Sequence, residues 1–132
     1  MHMNRPKVLL AEDHPAVAQS LAFLLNTMVE IVATVRDGRA LIESAKHLQL
    51  DLIIADIQMP VMDGLEALRE LRRQGLHVPV LLLTAYDAEE LVDDAMCAGA
   101  NGLVLKHTAG DELLTAIGEV LQGRDYLSRR HS

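Results

Sequence analysis

Five side chains able to do chemistry stand at the ends of short apolar runs in this 132-residue chain. Glu12 and Asp13 follow the run 7–11 (KVLLA), Asp56 follows 51–55 (DLIIA), Thr84 closes 80–84 (VLLLT), and Lys106 follows 102–105 (GLVL). Three carboxylates brought together repel one another and call for a cation. Oxygen-only ligands in a small cleft favour Mg²⁺, which binds a few carboxylates and keeps several waters. A carboxylate beside that ion can attack phosphorus and become an aspartyl phosphate. The charge on the phosphoryl oxygens would then be met by the cation and Lys106, with a hydrogen bond from the Thr84 hydroxyl.

The elements that must position these residues are legible in the hydropathy pattern. With 31–35 (IVATV), the apolar runs number five, and they are continuous rather than alternating, as expected of strands buried on both faces. Between them lie stretches of helical period. Their apolar stripes are Val17, Leu21, Leu24, Leu25 and Met28; Leu41, Ile42, Ala45 and Leu48; Leu65, Leu68 and Leu71; Leu91, Val92, Ala95 and Met96; and Leu113, Leu114, Ile117 and Leu121. Pro15 suits a first helical turn, and Gly75, Gly99 and Gly123 follow the third, fourth and fifth helical stretches. A strand–helix unit repeated five times predicts an α/β fold, a doubly wound parallel sheet with helices on both faces. Such a sheet gathers its functional residues beyond the carboxyl ends of its strands. That is where the five residues fall.

Composition narrows the classes. Twelve Lys and Arg stand against nineteen Asp and Glu, a net charge of −7. This argues against a free-standing nucleic-acid binder and against an anionic membrane surface. The aromatics are Phe23, Tyr86 and Tyr126, too few for base stacking. Half of the residues are hydrophobic, so the core is aliphatic. A single cysteine, Cys97, excludes an internal disulfide, fits a reducing compartment and reads as a small buried hydrophobe. No apolar run approaches the ~20 residues of a membrane span, and no signal-peptide core is present. The chain reads as soluble and cytoplasmic.

The motifs VLLAEDHP (8–15), DLIIADIQMPVMDG (51–64), VPVLLLTAY (78–86) and GANGLVLK (99–106) resemble the receiver domains of two-component response regulators. The DHP start and the closing GRDYLS are similar to the LuxR-type, FixJ-like subclass, whose receivers precede a helix-turn-helix domain. The resemblance covers residues 7–122. It implies a flavodoxin-like five-stranded sheet of order 2-1-3-4-5, with Asp56 as phosphoacceptor. It also implies Mg²⁺ held by Glu12, Asp13, Asp56 and the backbone carbonyl of Gln58, a switch hydroxyl at Thr84, and a phosphate-pairing Lys106. The partners implied are a sensor histidine kinase, a second copy upon phosphorylation, and DNA only through a C-terminal effector domain that this chain lacks. It implies self-phosphorylation and autodephosphorylation rather than turnover enzymology. The expected division is 1–4 as a disordered start or an expression remnant, 5–122 as the receiver, and 123–132 as a linker or truncated tail.

Three positions depart from the family pattern. Leu103 stands where an aromatic is common, His107 follows Lys106 in place of proline, and Glu12 replaces the first Asp of the acidic pair. Two other readings of the fold rank lower. A phosphohydrolase would want an acid two residues beyond Asp56, where Gln58 stands, and the loop Glu12-Asp13-His14-Pro15 would repel the phosphate of a flavin nucleotide. The six histidines show no ligand-spaced pair, so His14 and His107 read as solvated loop residues. Met59 and Met62 read as packing residues, and Glu89, Glu90, Asp93 and Asp94 as a solvated helical face. Tyr86, two residues past Thr84, is expected to rim the pocket and slow hydrolysis of the phosphate.

Overall fold

A computed structural model of the chain describes residues 5–128. The expected start at 1–4, with His2, and the end at 129–132, with His131, lie outside the described residues. The elements run β1 (Lys7–Ala11), α1 (Pro15–Leu25), β2 (Glu30–Val35), α2 (Gly38–His47), β3 (Leu52–Asp56) and α3 (Gly64–Arg73), then β4 (Val80–Thr84), α4 (Glu89–Ala98), β5 (Gly102–Leu105), α5 (Ala109–Leu121) and β6 (Tyr126–Leu127). A 3₁₀ turn at Lys106–Thr108 joins β5 to α5. All strand pairs are parallel, in the order β2-β1-β3-β4-β5-β6.

Alternation along each strand divides the core into two layers. Leu9, Ala11, Ile53, Ala55 and Leu82 pack with α2, α3 and α4, while Val8, Leu10, Ile54, Leu81 and Leu83 pack with α1 and α5. Both faces are covered, so β3 and β4 are buried at every position. Each fully buried leucine or isoleucine contributes roughly 1.5–3 kcal/mol relative to exposure.

Several expectations are corrected. β2 is an edge strand and its residues are exposed or half-buried, because parallel order leaves it one neighbour. Val17, Leu48 and Leu114 leave their apolar stripes and are exposed, and α1 ends before Met28. Cys97 lies on the outer side of α4 and is exposed. The tail also supplies a sixth strand, β6, which the sequence pattern does not announce because two residues are too few to show a period. Among the described residues, no helix is long and apolar enough to cross a membrane.

Helix termini follow the local chemistry. Asp63 and Glu66 form a reciprocal capping box at the start of α3. Gly99 ends α4 at φ 102°, a left-handed conformation that costs glycine little. The Arg72 guanidinium closes the amino-terminal end of the sheet. It donates to the carbonyls of Leu76 (2.9 Å), Val78 (2.8 Å) and Gly99 (2.8 Å) and to Asn101 Oδ1 (3.0 Å). It thereby ties the loops after α3 and α4 together.

Candidate functional site

The carboxyl ends of β1, β3, β4 and β5 bring the expected residues to one edge. Asp56 is the last residue of β3, one place inside the strand rather than beyond it, and is buried. The Ile57 amide donates to the Leu83 carbonyl of β4 (2.9 Å), which ties the residue after the carboxylate to the neighbouring strand. The loop then folds back. The Gly64 amide donates to the Ile57 carbonyl (2.8 Å), and a Cβ on Gly64 would fall on the Asp56 carbonyl oxygen. Glycine is required there by close approach. Within this loop the Met62 amide donates to Pro60 (2.7 Å) across Val61, which is held at φ 70°.

Lys106 reaches into the cluster from the end of β5. Its Nζ lies 2.7 Å from Asp56 Oδ2 and 3.0 Å from Glu12 Oε1. The contact to Glu12 is close enough to pair charge but is not aligned as a hydrogen bond, and Glu12 Oε1 has no hydrogen-bond partner. Glu12 Oε2 accepts the His14 amide (3.1 Å). The other Asp56 oxygen, Oδ1, accepts the Gln58 amide (3.2 Å).

One ammonium is thus shared by two buried carboxylates, and their titration reflects it. Burial raises the pKa of Asp56, with the neighbouring Glu12 charge adding to the rise, and Lys106 compensates only in part. For Glu12, burial pushes the same way but is outweighed by the His14 amide and by Lys106, which hold its pKa below the usual carboxylate range. Burial alone would lower the pKa of Lys106; the bond to Asp56 and the paired Glu12 carboxylate raise it instead.

Asp13 sits at the mouth of the cleft with its side chain 27% exposed, 3.1 Å from His14 Nδ1. Asp13, His14 and Gln58 line one open recess with Met59 and Asp63. Asp13 Oδ1 is buried without a hydrogen-bond partner. Glu12, Asp13 and His14 each place a ligand atom within 4.8 Å of the others. His14 is therefore exposed, as expected of a loop residue, yet it lies against the acidic pair. Two buried carboxylate oxygens lacking donors are what a hard divalent cation satisfies, so the residues present fit Mg²⁺.

Thr84 is fully buried at the end of β4, and its oxygen accepts the Tyr86 amide (3.0 Å), which leaves the hydroxyl proton to be donated. Tyr86 does not line the recess with Asp13 and Gln58. It borders a neighbouring crevice formed by Val92, Leu103, Leu105 and Leu127. Reading by motif also passed over Glu112 and Ser128, which bond around Leu105 next to Lys106. Ser128 belongs to a tail that reads as linker, and an acid in the first turn of a helix is ordinary.

Residues 8–118 match the model of the response regulator receiver domain. The chain is 38% identical over 127 residues to a nitrate/nitrite response regulator protein homolog of Haemophilus influenzae, covering 95% of this chain and 61% of that protein. Across the curated relatives compared, this chain spans between 53% and 61% of their length. Its structure superposes on a LuxR-family two-component response regulator from Aurantimonas, with a TM-score of 0.90 and 27% identity, covering 95% of this chain and 91% of that one. For the signal receiver domain of a NarL response regulator from Mycobacterium tuberculosis the TM-score is 0.87, with 30% identity over 92% of this chain and all of that one.

Proposed function

Because the chain belongs to the response regulator receiver family, we propose that it is a phosphorylation-driven switch in which Asp56 takes a phosphoryl group from phosphohistidine on a sensor histidine kinase. An oxygen of Asp56 forms the new bond to phosphorus. The phosphorus–nitrogen bond breaks, and the imidazole released from the kinase takes up a proton. Lys106, already 2.7 Å from Asp56, pairs with the added oxygens, and Thr84 turns its hydroxyl proton toward them. Glu12, Asp13, Asp56 and the Gln58 carbonyl are the residues that would hold Mg²⁺. When bound, the ion supplies charge neutralisation for the transferring group.

The observation that carries this reading is the shared ammonium. A lysine placed between two buried carboxylates at the carboxyl edge of the sheet is costly for stability alone, and it suits a site built to receive further negative charge. The aspartyl phosphate shifts a two-state equilibrium through Thr84 and the loop that follows it. The receiver proper is assigned to residues 5–122, with the following segment returning to its sheet as β6, and the remainder of a longer cytoplasmic transcription regulator, with a DNA-binding effector domain, is assigned to chain beyond this one. The relatives' greater length supports that assignment.

Incubation with Mg²⁺ and acetyl phosphate, read by intact mass, tests the proposal. One phosphoryl group should be gained by the native chain and none by Asp56→Asn. Uptake that persists in Asp56→Asn overturns the assignment.

A further inference from the structure

The backbone that carries Lys106 is bracketed by one carboxylate on α5. Leu105 immediately precedes Lys106, and both of its peptide groups are held by hydroxyls. The Leu105 amide donates to Ser128 Oγ (2.9 Å), and the Leu105 carbonyl accepts from Thr108 Oγ1 (3.2 Å). Each of those hydroxyls also meets Glu112: Ser128 Oγ donates to Glu112 Oε2 (3.0 Å), and Thr108 Oγ1 contacts the same oxygen, its single proton shared between that carboxylate and the Leu105 carbonyl. A third hydroxyl, that of Tyr126, donates to Glu112 Oε1 (2.7 Å). The Ser128 amide bonds to the Leu103 carbonyl (2.9 Å), and β6 pairs Tyr126 with Gly102 and Leu127 with Leu103.

We propose that Glu112, acting through Ser128 and Thr108, positions Lys106 for the phosphoryl group, so that the segment after α5 is a working part of the phosphorylation pocket. The proposal rests on the pocket assignment made above. Lys106 has a flexible four-carbon stem, and its aim at two carboxylates depends on where its backbone is fixed. The residue after it is His107, and every described peptide bond is trans, so no proline ring stiffens the turn. The Glu112 network occupies that role. It also makes the pocket sensitive to whatever pulls on the chain beyond Ser128. Small displacements of an aligned group are expensive in rate.

The test is a cycle of variants in the whole 132-residue chain, with phosphoryl uptake from acetyl phosphate at saturating Mg²⁺ read by intact mass. Glu112→Ala and Ser128→Ala should each slow uptake by roughly 3–10-fold, and in a Lys106→Ala background by less than about 2-fold, because the group they position is gone. Ser128→Thr, which keeps the hydroxyl, should restore the rate. Equal slowing in both backgrounds, or none in the native background, overturns the positioning role while leaving the pocket intact. Lys106→Ala taking up phosphate at the native rate overturns the pocket assignment and this proposal with it. Ser128→Ala removes a single oxygen near the surface, so the test stands even where Glu112→Ala fails to fold.

Discussion

Replacing Lys106 with methionine isolates the electrostatics of the pocket. Two carboxylate oxygens lying 2.7 and 3.0 Å from one ammonium are within about 6 Å of each other, and at an effective dielectric of about 20 two unit charges at that spacing repel by roughly 3 kcal/mol. Methionine keeps the length and packing of the lysine stem but removes the attraction that offsets the repulsion. Release of the buried ammonium returns part of the loss, since its own desolvation is no longer required. The net expectation is a loss of about 3–5 kcal/mol at pH 7, as for other buried pairs broken on one side. Thermal unfolding should show it as a fall of roughly 10–20 °C in Tm.

The dependence on pH has a definite sign. In Lys106→Met both carboxylates titrate above their unfolded values, so the folded state binds protons more readily than the unfolded one. Stability is therefore regained as pH falls from 7 toward 5 and lost as it rises through the folded pKa values. Asp56, raised even in the native chain, should lead that recovery. Adding Asp56→Asn to Lys106→Met should restore most of the loss at pH 7, and Mg²⁺ should stabilise Lys106→Met more than the native chain. A loss under about 1 kcal/mol, or one unchanged between pH 7 and 5, would refute the reasoning. In the native chain, the raised pKa of Lys106 gives stability that is present below the ordinary lysine value of 10.5 and lost as pH rises beyond it, so alkaline unfolding should begin there.

Asp56→Asn alone should leave stability at pH 7 unchanged or raised by about 1 kcal/mol, since burial already disfavours the ionised form, and the gain should vanish near pH 4; urea unfolding at both pH values checks it. Val61→Asn should stabilise by about 1 kcal/mol, because a β-branched residue at φ 70° is strained and asparagine tolerates the left-handed region; a lower urea midpoint would count against it. Arg72→Ala should cost about 3 kcal/mol by leaving the carbonyls of Leu76, Val78 and Gly99 without their donor, with phosphoryl uptake at Asp56 unaffected in the folded fraction.

Most of the architecture was legible in advance because its signals are local. Continuous apolar runs marked strands covered on both faces, and Gly75, Gly99 and Gly123 stand after their helices with positive φ. Residues at strand ends pointed to a shared edge, and Glu12, Asp56 and Lys106 meet there within hydrogen-bonding distance or close to it. What escaped depends on tertiary placement. β2 carries the same apolar pattern as β3, and only strand order makes one an edge and the other central. The role of Glu112 depends on a tail that returns to the sheet, which no periodicity over two residues can announce.

The two ends of α4 are fastened unequally. At its carboxyl end, Gly99 offers its carbonyl to the Arg72 guanidinium and the Ala100 amide bonds back to Ala95, the one buried residue of the helix. At its amino end, Ala88 supplies no side-chain cap, and the helix begins five residues after Thr84. If Thr84 moves on phosphorylation as proposed, the helix would act as a lever with its fulcrum at Arg72 and its amino end nearest Thr84. On that reading, a shift of Thr84 toward the phosphate should move residues 89–92 most and residues 96–99 least. Amide hydrogen exchange along the helix should be graded in that order, and uniform exchange from 89 to 99 would show that no fulcrum exists.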